Sequence, residues 1–370
     1  MISVVGQQGF SDRKMLYRQV KDYLLQQIEE GRYKAGELIP PERELSDTLK
    51  ISRYTVRRGI QELVEEGILH RVQGKGTFVT EEKKHPGAKS NSLGIVMPFC
   101  DAEIEMMLLN GMQKALREDI YSINLSNSSN SSSREAEEVR RLKDDGVAGI
   151  VLMPSEEPQG GSVAVELKKE DFPFVLIDRR YPCCEADCVM SDNIQGGFIA
   201  TEYLLSLGHR SIAFLRHSSD ETSSMKDRFT GYGQALRKHG LANGLMYSFD
   251  FAKGVSEVEK FLNKGEHTAI IAGNSYVAAD VVRACRSKGL VIPDDVSIVS
   301  FDDLSMVKLL EVPLTTVVQS LEAIGYRAIC LLLERIEAKR NGEVDTLRYY
   351  TQHYYSTRLI ERESCKRLTD

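Results

Sequence analysis

Long apolar runs are missing from this 370-residue chain. Nothing approaches the roughly 18 consecutive apolar residues that a membrane-crossing helix needs. Residues 1–30 also lack an apolar core flanked by basic residues and a small-residue cleavage site. These absences predict a cytoplasmic protein with no membrane partner. Cysteine is sparse and odd in number, seven in all, which fits a reducing compartment better than a disulfide framework. Cys183, Cys184 and Cys188 cluster, but no Cys-x-x-Cys pair or fourth ligand accompanies them, so they predict free thiols on a loop and no metal site. A P-loop, a nucleophile elbow, a His-Glu-x-x-His helix and a cofactor lysine in a convincing setting are absent too. The expectation is a protein that is not an enzyme and carries no cofactor.

Overall basicity is also lacking, since the net charge is −6. The charge divides unevenly, however. Residues 1–84 hold 15 Lys and Arg against 13 Asp and Glu, leaving 33 against 41 for the remainder. A mildly basic head precedes an acidic body, and only the head would approach a polyanion. The length allows two or three domains, each able to bury a core.

The most informative stretch is 41–79. Pro41 suits a helix start, where its missing N–H costs nothing, and Glu42 and Glu44 sit near the positive end of that helix dipole. Leu45 and Leu49, four apart, give the helix an inner face. Ser52 is a good N-cap for a second helix, whose Val56, Ile60, Leu63 and Val64 form one buried stripe before Gly67 ends it. Off that stripe lie Arg53 and Arg57, with Thr55 and Arg58 beside them. Guanidinium groups pair bidentately with phosphate or guanine edges, and a recognition helix puts its N-terminal residues into the major groove. A hairpin follows, with Gly74-Lys75-Gly76 at its tip. Helix, turn, helix and hairpin make a winged helix-turn-helix. Two arginines alone would also describe an ordinary solvated helix, so the assembled pattern carries the assignment. Ahead of it, Leu16, Val20, Leu24 and Ile28 predict a packing helix over 14–30, and residues 1–12 read as a loose arm.

Beyond a charged linker at 83–92, short apolar runs alternate with amphipathic helices. Strands are predicted at 93–97, 121–125, 149–153, 174–177, 212–215, 268–272 and 296–301, and helices at 108–117, 135–143, 194–207, 229–238 and 277–288. The Ser126-to-Ser133 run reads as a loop that caps the next helix. Such alternation implies parallel sheets with right-handed crossovers, a doubly wound α/β architecture. Ligands in such sheets sit beyond the strands' carboxyl ends. Those positions give Phe99 and Asp101, Asp178 and Arg179, Asn274, and Asp302 with Asp303. Arg228 at a helix start and Gln319 after a short apolar run join them. Arginines, carboxylates and carboxamides facing one cleft suit a ring of hydroxyls.

The head resembles the GntR family in Tyr17-Arg18-Gln19-Val20, Glu42-Arg43-Glu44-Leu45, Ser52-Arg53-x-Thr55-Val56-Arg57 and Gly74-Lys75-Gly76-Thr77-Phe78-Val79. That resemblance implies DNA contacts at Arg43, Ser52, Arg53, Tyr54, Thr55, Arg57, Gln73, Gly74 and Lys75. Arg58 suggests one more phosphate contact. Residues 93 onward resemble the LacI/GalR ligand-binding module, itself similar to periplasmic sugar-binding proteins. The runs that carry it are Val-Leu-Ile-Asp-Arg at 175–179, Ser-Asp-Asn-Ile-Gln-Gly-Gly at 191–197, 203–214, Arg228-x-x-Gly231-Tyr232, 289–303, 315–320 and Ile324-Gly325. The resemblance implies sugar contacts at Arg179, Arg228, Asn274, Asp302 and Gln319, with Asp178 beside them. It also implies two lobes, 93–191 with 321–345 and 192–318 with 346–370, after a head at 1–82.

Two positions depart from that pattern. Cys100-Asp101-Ala102-Glu103-Ile104-Glu105 stands where relatives often place an Asn and aromatics, and Asn274-Ser275 stands where many have Asn-Asp. A GntR-type head on a LacI/GalR-type body is similar to the arabinose repressors of Gram-positive bacteria. The resemblance therefore implies a homodimeric regulator, more a repressor than an activator, that binds double-stranded operator DNA and is released by a sugar. The alternative is a sugar- or sugar-phosphate-dependent regulator in which the effector is a corepressor, thermodynamically equal, or an activator. Competing readings are an enzyme, since GntR-type heads also occur on aminotransferase-like domains, and a solute-binding protein feeding a transporter. No catalytic motif supports the first, and the DNA-binding head argues against the second.

Overall fold

The computed structural model describes residues 13–34, 36–65, 68–72, 74–80, 92–100, 102–116, 121–157, 161–241, 244–342 and 349–368. The expected N-terminal arm, Gly67, Gln73, Asp101 and all of the expected linker but Ser92 lie outside these residues. The chain divides into two compact units, Met1–Lys89 and Ser90–Asp370.

In the first unit, α1 (Arg13–Glu29), α2 (Glu42–Leu49) and α3 (Arg53–Glu65) precede an antiparallel hairpin of β1 (Leu69–Val72) and β2 (Gly76–Val79). Val20 and Leu24 of α1, Leu45 of α2, and Val56, Ile60 and Leu63 of α3 form one buried cluster with Leu69 and Val79 of the hairpin. Gly59 lets α1 and α3 touch: a Cβ there would stand 2.9 Å from the Tyr17 carbonyl oxygen.

The second unit starts with β3 (Ser92–Met97), α4 (Glu103–Ala115), β4 (Ser122–Asn127), α5 (Ser132–Asp144), β5 (Gly149–Leu152), α6 (Ser162–Lys169), β6 (Phe174–Ile177) and β7 (Cys188–Ser191). It continues with α7 (Asn193–Ser206), β8 (Ile212–His217), α8 (Ser223–Lys238), β9 (Leu245–Phe249), α9 (Gly254–Leu262), β10 (Ala269–Ala272), α10 (Ser275–Ser287), β11 (Ser297–Phe301), α11 (Ser305–Lys308) and β12 (Thr315–Val318). Last come α12 (Leu321–Asn341), β13 (Gln352–Tyr355) and β14 (Arg358–Ile360). Two six-stranded sheets result, ordered β13-β7-β6-β5-β3-β4 and β14-β12-β11-β10-β8-β9. Each pairing is parallel except β12 with β14. Helices cover both faces of both sheets, so the strands read as near-continuous apolar runs, such as Ala-Ile-Ile-Ala in β10.

Three expectations need correction. β13 hydrogen-bonds to β7, so residues 352–355 belong to the first lobe, and the chain crosses to the second only before β14. The crossing is late because Thr351 already ties the segment to Asp187 in the first lobe, through its N–H and its hydroxyl. Ser92 lies in β3 rather than in a linker. α8 begins at Ser223, six residues before the expected start, because the Thr222 side chain accepts the Met225 N–H as its cap. Arg228 is therefore inside the helix and not at its start.

Candidate functional site

In the head, Ser52 opens α3 as expected: its Oγ accepts the Thr55 N–H at 3.3 Å and lies 2.8 Å from Thr55 Oγ1. Both hydroxyls are thus part of the cap. Arg53 and Arg57 are exposed on the same helix, and Tyr54 between them is 77% exposed. Arg57 Nε donates to both oxygens of Glu42, at 3.3 and 3.0 Å, and Arg71 Nη2 of β1 donates to the same carboxylate at 3.2 Å. One acid of α2 therefore joins α3 to the hairpin, a role the sequence reading did not give to Glu42 or Arg71. Arg43 is exposed on α2 and lines a shallow concavity with Pro41, Glu44, Asp47 and Thr48. At the hairpin tip Gly74 and Gly76 have φ of +79° and +126°, and the Lys75 N–H closes the turn onto Val72 at 3.0 Å. Arg58 stands apart: its guanidinium lies 4.4 Å over the Tyr17 ring, so its charge is turned onto α1.

In the second unit, seven of the nine residues picked from strand ends and their neighbours meet; Asp101 lies outside the described residues, and Asp303 does not line the cavity but pairs with Arg362 at 2.7 Å. Phe99, Asp178, Arg179, Arg228, Asn274, Asp302 and Gln319 line one cavity of about 440 Å³ between the two sheets' carboxyl ends. Arg228 is 5% exposed and held on every side. Its Nε donates to Asn193 Oδ1 at 2.8 Å, its Nη1 to the Gly273 carbonyl at 2.7 Å, and its Nη2 lies 3.5 Å from Asp302 Oδ1. The Phe301 ring sits 4.5 Å below the guanidinium. Gln319 Nε2 donates to the same Asp302 oxygen at 2.5 Å. Burial pushes the Asp302 carboxyl above its ordinary range, against the pull of Arg228 and Gln319.

Arg179 Nη1 donates to the Pro154 carbonyl at 3.1 Å and Nη2 to Glu156 at 3.4 Å, while Nε lies 3.2 Å from Asp178 Oδ2 in ion-pair contact without hydrogen-bond geometry. Asn274 has two jobs. It caps α10 by accepting the Val277 N–H at 2.9 Å, and its Nδ2 reaches Asp220 Oδ2 at 3.5 Å. The turn and the cavity wall are one residue.

Several lining residues escaped the sequence reading. Asp220 and His217 follow or end β8, Phe251 follows β9, and Glu156 follows β5, all on the same rule of strand ends. That rule would have found them had β9 been recognised and the β8 loop been read. His217 Nε2 pairs with Asp280 Oδ2 at 3.2 Å, edge-on to Phe249 and Phe251. Glu105, noted only as a departure, is 5% exposed and lines the cavity. Its carboxyl is pushed up to about 7 by burial, opposed by its own backbone N–H and by Arg179. Phe99, Phe251 and Tyr276 supply partly exposed rings, so aromatic surface is present although residues 100–105 carry no ring.

Cys183 is exposed, and Cys184 and Cys188 are buried, the last with its thiol pushed up chiefly by burial. Among the described residues no group of three His, Cys, Asp or Glu could hold a metal ion, and no helix is long and apolar enough to cross a membrane.

Comparison with known proteins places these two sites in context. Residues 16–79 match bacterial regulatory proteins of the GntR family, and residues 201–365 match a periplasmic binding protein-like domain. An arabinose metabolism transcriptional repressor of Geobacillus stearothermophilus is 30% identical over 364 residues, spanning 95% of this chain and 98% of the relative. A second, from Halalkalibacterium halodurans, is 26% identical over 88% of this chain and 90% of its own. In fold, a LacI family transcriptional regulator from Enterococcus faecium, solved with bound ribose, matches 75% of this chain and 100% of its own at a TM-score of 0.63 and 24% identity. A winged head of one family and a two-lobed body of another, both aligned along one relative's full length, leave one assignment: the chain belongs to the family of transcriptional repressors, typified by the arabinose metabolism repressors, that join a GntR-type head to a LacI-type body.

Proposed function

We propose that the protein is a homodimeric, sequence-specific repressor of a carbohydrate-utilisation operon, released from its operator by a small sugar such as arabinose. The observation that carries the effector half is the convergence of Asp178, Arg179, Arg228, Asn274, Asp302 and Gln319, from two lobes, on one polar cavity with aromatic rings at its wall. Carboxylates and amides fixed around a cavity of this size match the hydroxyls of a monosaccharide, and rings cover its C–H faces. The names of the relatives support the sugar class.

Two heads in one dimer would read two half-sites, since two-fold symmetry in the protein is mirrored in the operator. Arg53 and Arg57 carry the groove contacts, with Arg43, Tyr54, Gly74 and Lys75 beside them, and the capped Ser52 and Thr55 at the helix start. Sugar bound between the lobes favours one lobe geometry, and the heads' spacing follows it. The coupling expected is about 1–3 kcal/mol.

The test uses a DNA fragment selected from a random pool by the intact protein. Arg53→Ala should weaken binding to that fragment by about 10- to 100-fold, the value of one bidentate contact, and unchanged affinity would remove the recognition helix from the reading. A thermal-shift series with free sugars tests the other half, because a ligand of the folded state raises Tm by mass action. Arg228→Ala should bind the fragment normally and lose the shift.

A further inference from the structure

Five carboxylates, those of Glu105, Glu156, Asp178, Asp220 and Asp302, line the cavity together with two guanidiniums, Arg179 and Arg228. Neither guanidinium is free. Arg228 is taken by Asn193, the Gly273 carbonyl and Asp302. Arg179 is taken by the Pro154 carbonyl, Glu156 and Asp178. A phosphate bound by a protein needs cationic or backbone donors turned toward it. The charged groups here run the other way. We propose that this cavity takes an uncharged, unphosphorylated sugar and rejects its phosphate ester, and that Glu105 is the specificity residue that enforces the choice. The inference rests on the sugar-effector reading above and deepens it.

Glu105 is suited to the role by position. It sits in the first turn of α4, 5% exposed, against the cavity, and forms no ion pair among the described residues. Burial, reinforced by the negative charges of Asp178 and Glu156, outweighs its own backbone N–H and Arg179 and holds the carboxyl near 7. A protonated Glu105 donates to a sugar hydroxyl and an ionised one accepts from it, so both forms serve a neutral ligand. Only the ionised form repels an anion strongly, and it does so in a partly desolvated site where charges are weakly screened.

Calorimetric titration of the intact protein with arabinose, ribose and the 5-phosphate of each supplies the test, run from pH 6 to pH 8 on wild type and Glu105→Gln. In wild type the better free sugar should bind at least about tenfold tighter than its ester, ~1.4 kcal/mol, and the ratio should widen as pH rises. Glu105→Gln, isosteric with the protonated form, should narrow the ratio several-fold at pH 8. The ester's own second ionisation is common to both proteins and cancels between them. An ester that binds wild type as well as the free sugar overturns the proposal, as does a Gln variant that folds normally yet keeps the whole pH 8 ratio. Failure of all four compounds to bind removes the sugar-effector reading itself, and this inference with it.

Discussion

Asp178 and Asp302 occupy equivalent places in the two lobes. Each ends a buried strand, β6 or β11, in the left-handed region, with φ of 62° and 68°. Each donates its N–H to the strand that leaves the lobe, Asp178 to the Val189 carbonyl and Asp302 to Val317, both at 3.0 Å. Helix packing repeats as well: α4 and α12 meet through Gly111 and Gly325 in one lobe, α7 and α8 through Gly197 and Gly231 in the other. The lobes differ in how their charges are held. Arg228 and Asp302 are locked by protein partners on the second lobe, whereas Glu105 on the first has no ion-pair partner among the described residues. The second lobe thus brings a fixed set of donors and acceptors, and the first keeps an acid whose protonation can answer to the ligand. Both lobes also hold each other directly, through Arg180 paired bidentately with Asp227 at 2.7 and 3.0 Å and through Glu103, which accepts the Ser305 N–H at 2.9 Å.

The scaffold equivalence can be broken most severely at the glycines. A Cβ on Gly111 would stand 1.9 Å from the Glu322 carbonyl oxygen, and one on Gly197 1.9 Å from that of Arg228. Backbone cannot yield there without separating the helices. Gly111→Val and Gly197→Val should each cost about 3 kcal/mol or more, read from urea unfolding of the full chain. Similar losses would support equivalent construction, and a tolerated valine in either lobe would end the comparison at that layer.

Charge placement gives the next largest effect. Arg228→Ala leaves Asp302 buried without its cation and should cost about 3 kcal/mol. Arg179→Ala should cost less, about 1–2 kcal/mol, because its hydrogen-bonded acid Glu156 keeps 25% of its side chain in solvent while Asp302 keeps 3%, and its contact with the buried Asp178 lacks hydrogen-bond geometry. Urea midpoints at pH 7 would rank the two, and a reversed order would mean that the first lobe, not the second, holds the fixed charges.

How much of this was readable beforehand follows the same division. Strands β6 and β10 are unbroken apolar runs and β11, Ser-Ile-Val-Ser-Phe, is buried throughout, and their carboxyl ends led directly to Asp178, Arg179, Asn274 and Asp302. β9, Leu-Met-Tyr-Ser-Phe, is an edge strand with mixed burial, so its pattern was too weak to point to Phe251. β13 was illegible for another reason: Gln-His-Tyr-Tyr is polar on one side, and its membership of the first lobe depends on a pairing with β7, distant in sequence. In the head, the α3 stripe predicted burial of Val56, Ile60 and Leu63. It could not show that Arg58 turns onto Tyr17 or that Glu42 gathers Arg57 and Arg71, because those contacts link separate elements.

Protonation sharpens the contrast between lobes. The Glu105 carboxyl lies near 7 when folded, against an ordinary 4.5, so the folded state holds a proton that the unfolded chain has already released. That contribution is fully present below about pH 4.5 and is lost as pH rises through 7. Asp302 and Glu135 are shifted the same way, chiefly by burial. Wild type should therefore lose stability between pH 5 and pH 8, and Glu105→Gln should remove about 2 kcal/mol of that decline. Urea midpoints across the range would decide it, and parallel curves for the two proteins would show that Glu105 titrates normally.

The smallest effect tests why aspartate stands at both strand ends. Asparagine tolerates the left-handed region and alanine does not, the difference being about 1 kcal/mol. At 178 and at 302 the absolute costs of substitution should differ, because Asp302 faces Arg228 and Gln319 while Asp178 faces Arg179. The gap between the Ala and Asn variants contains the backbone conformation, and φ differs by a few degrees between the sites. Asp178→Ala minus Asp178→Asn should then match Asp302→Ala minus Asp302→Asn to within about 0.5 kcal/mol. A larger mismatch in unfolding free energies would mean that side-chain partners, not the shared turn out of the strand, selected aspartate in at least one lobe.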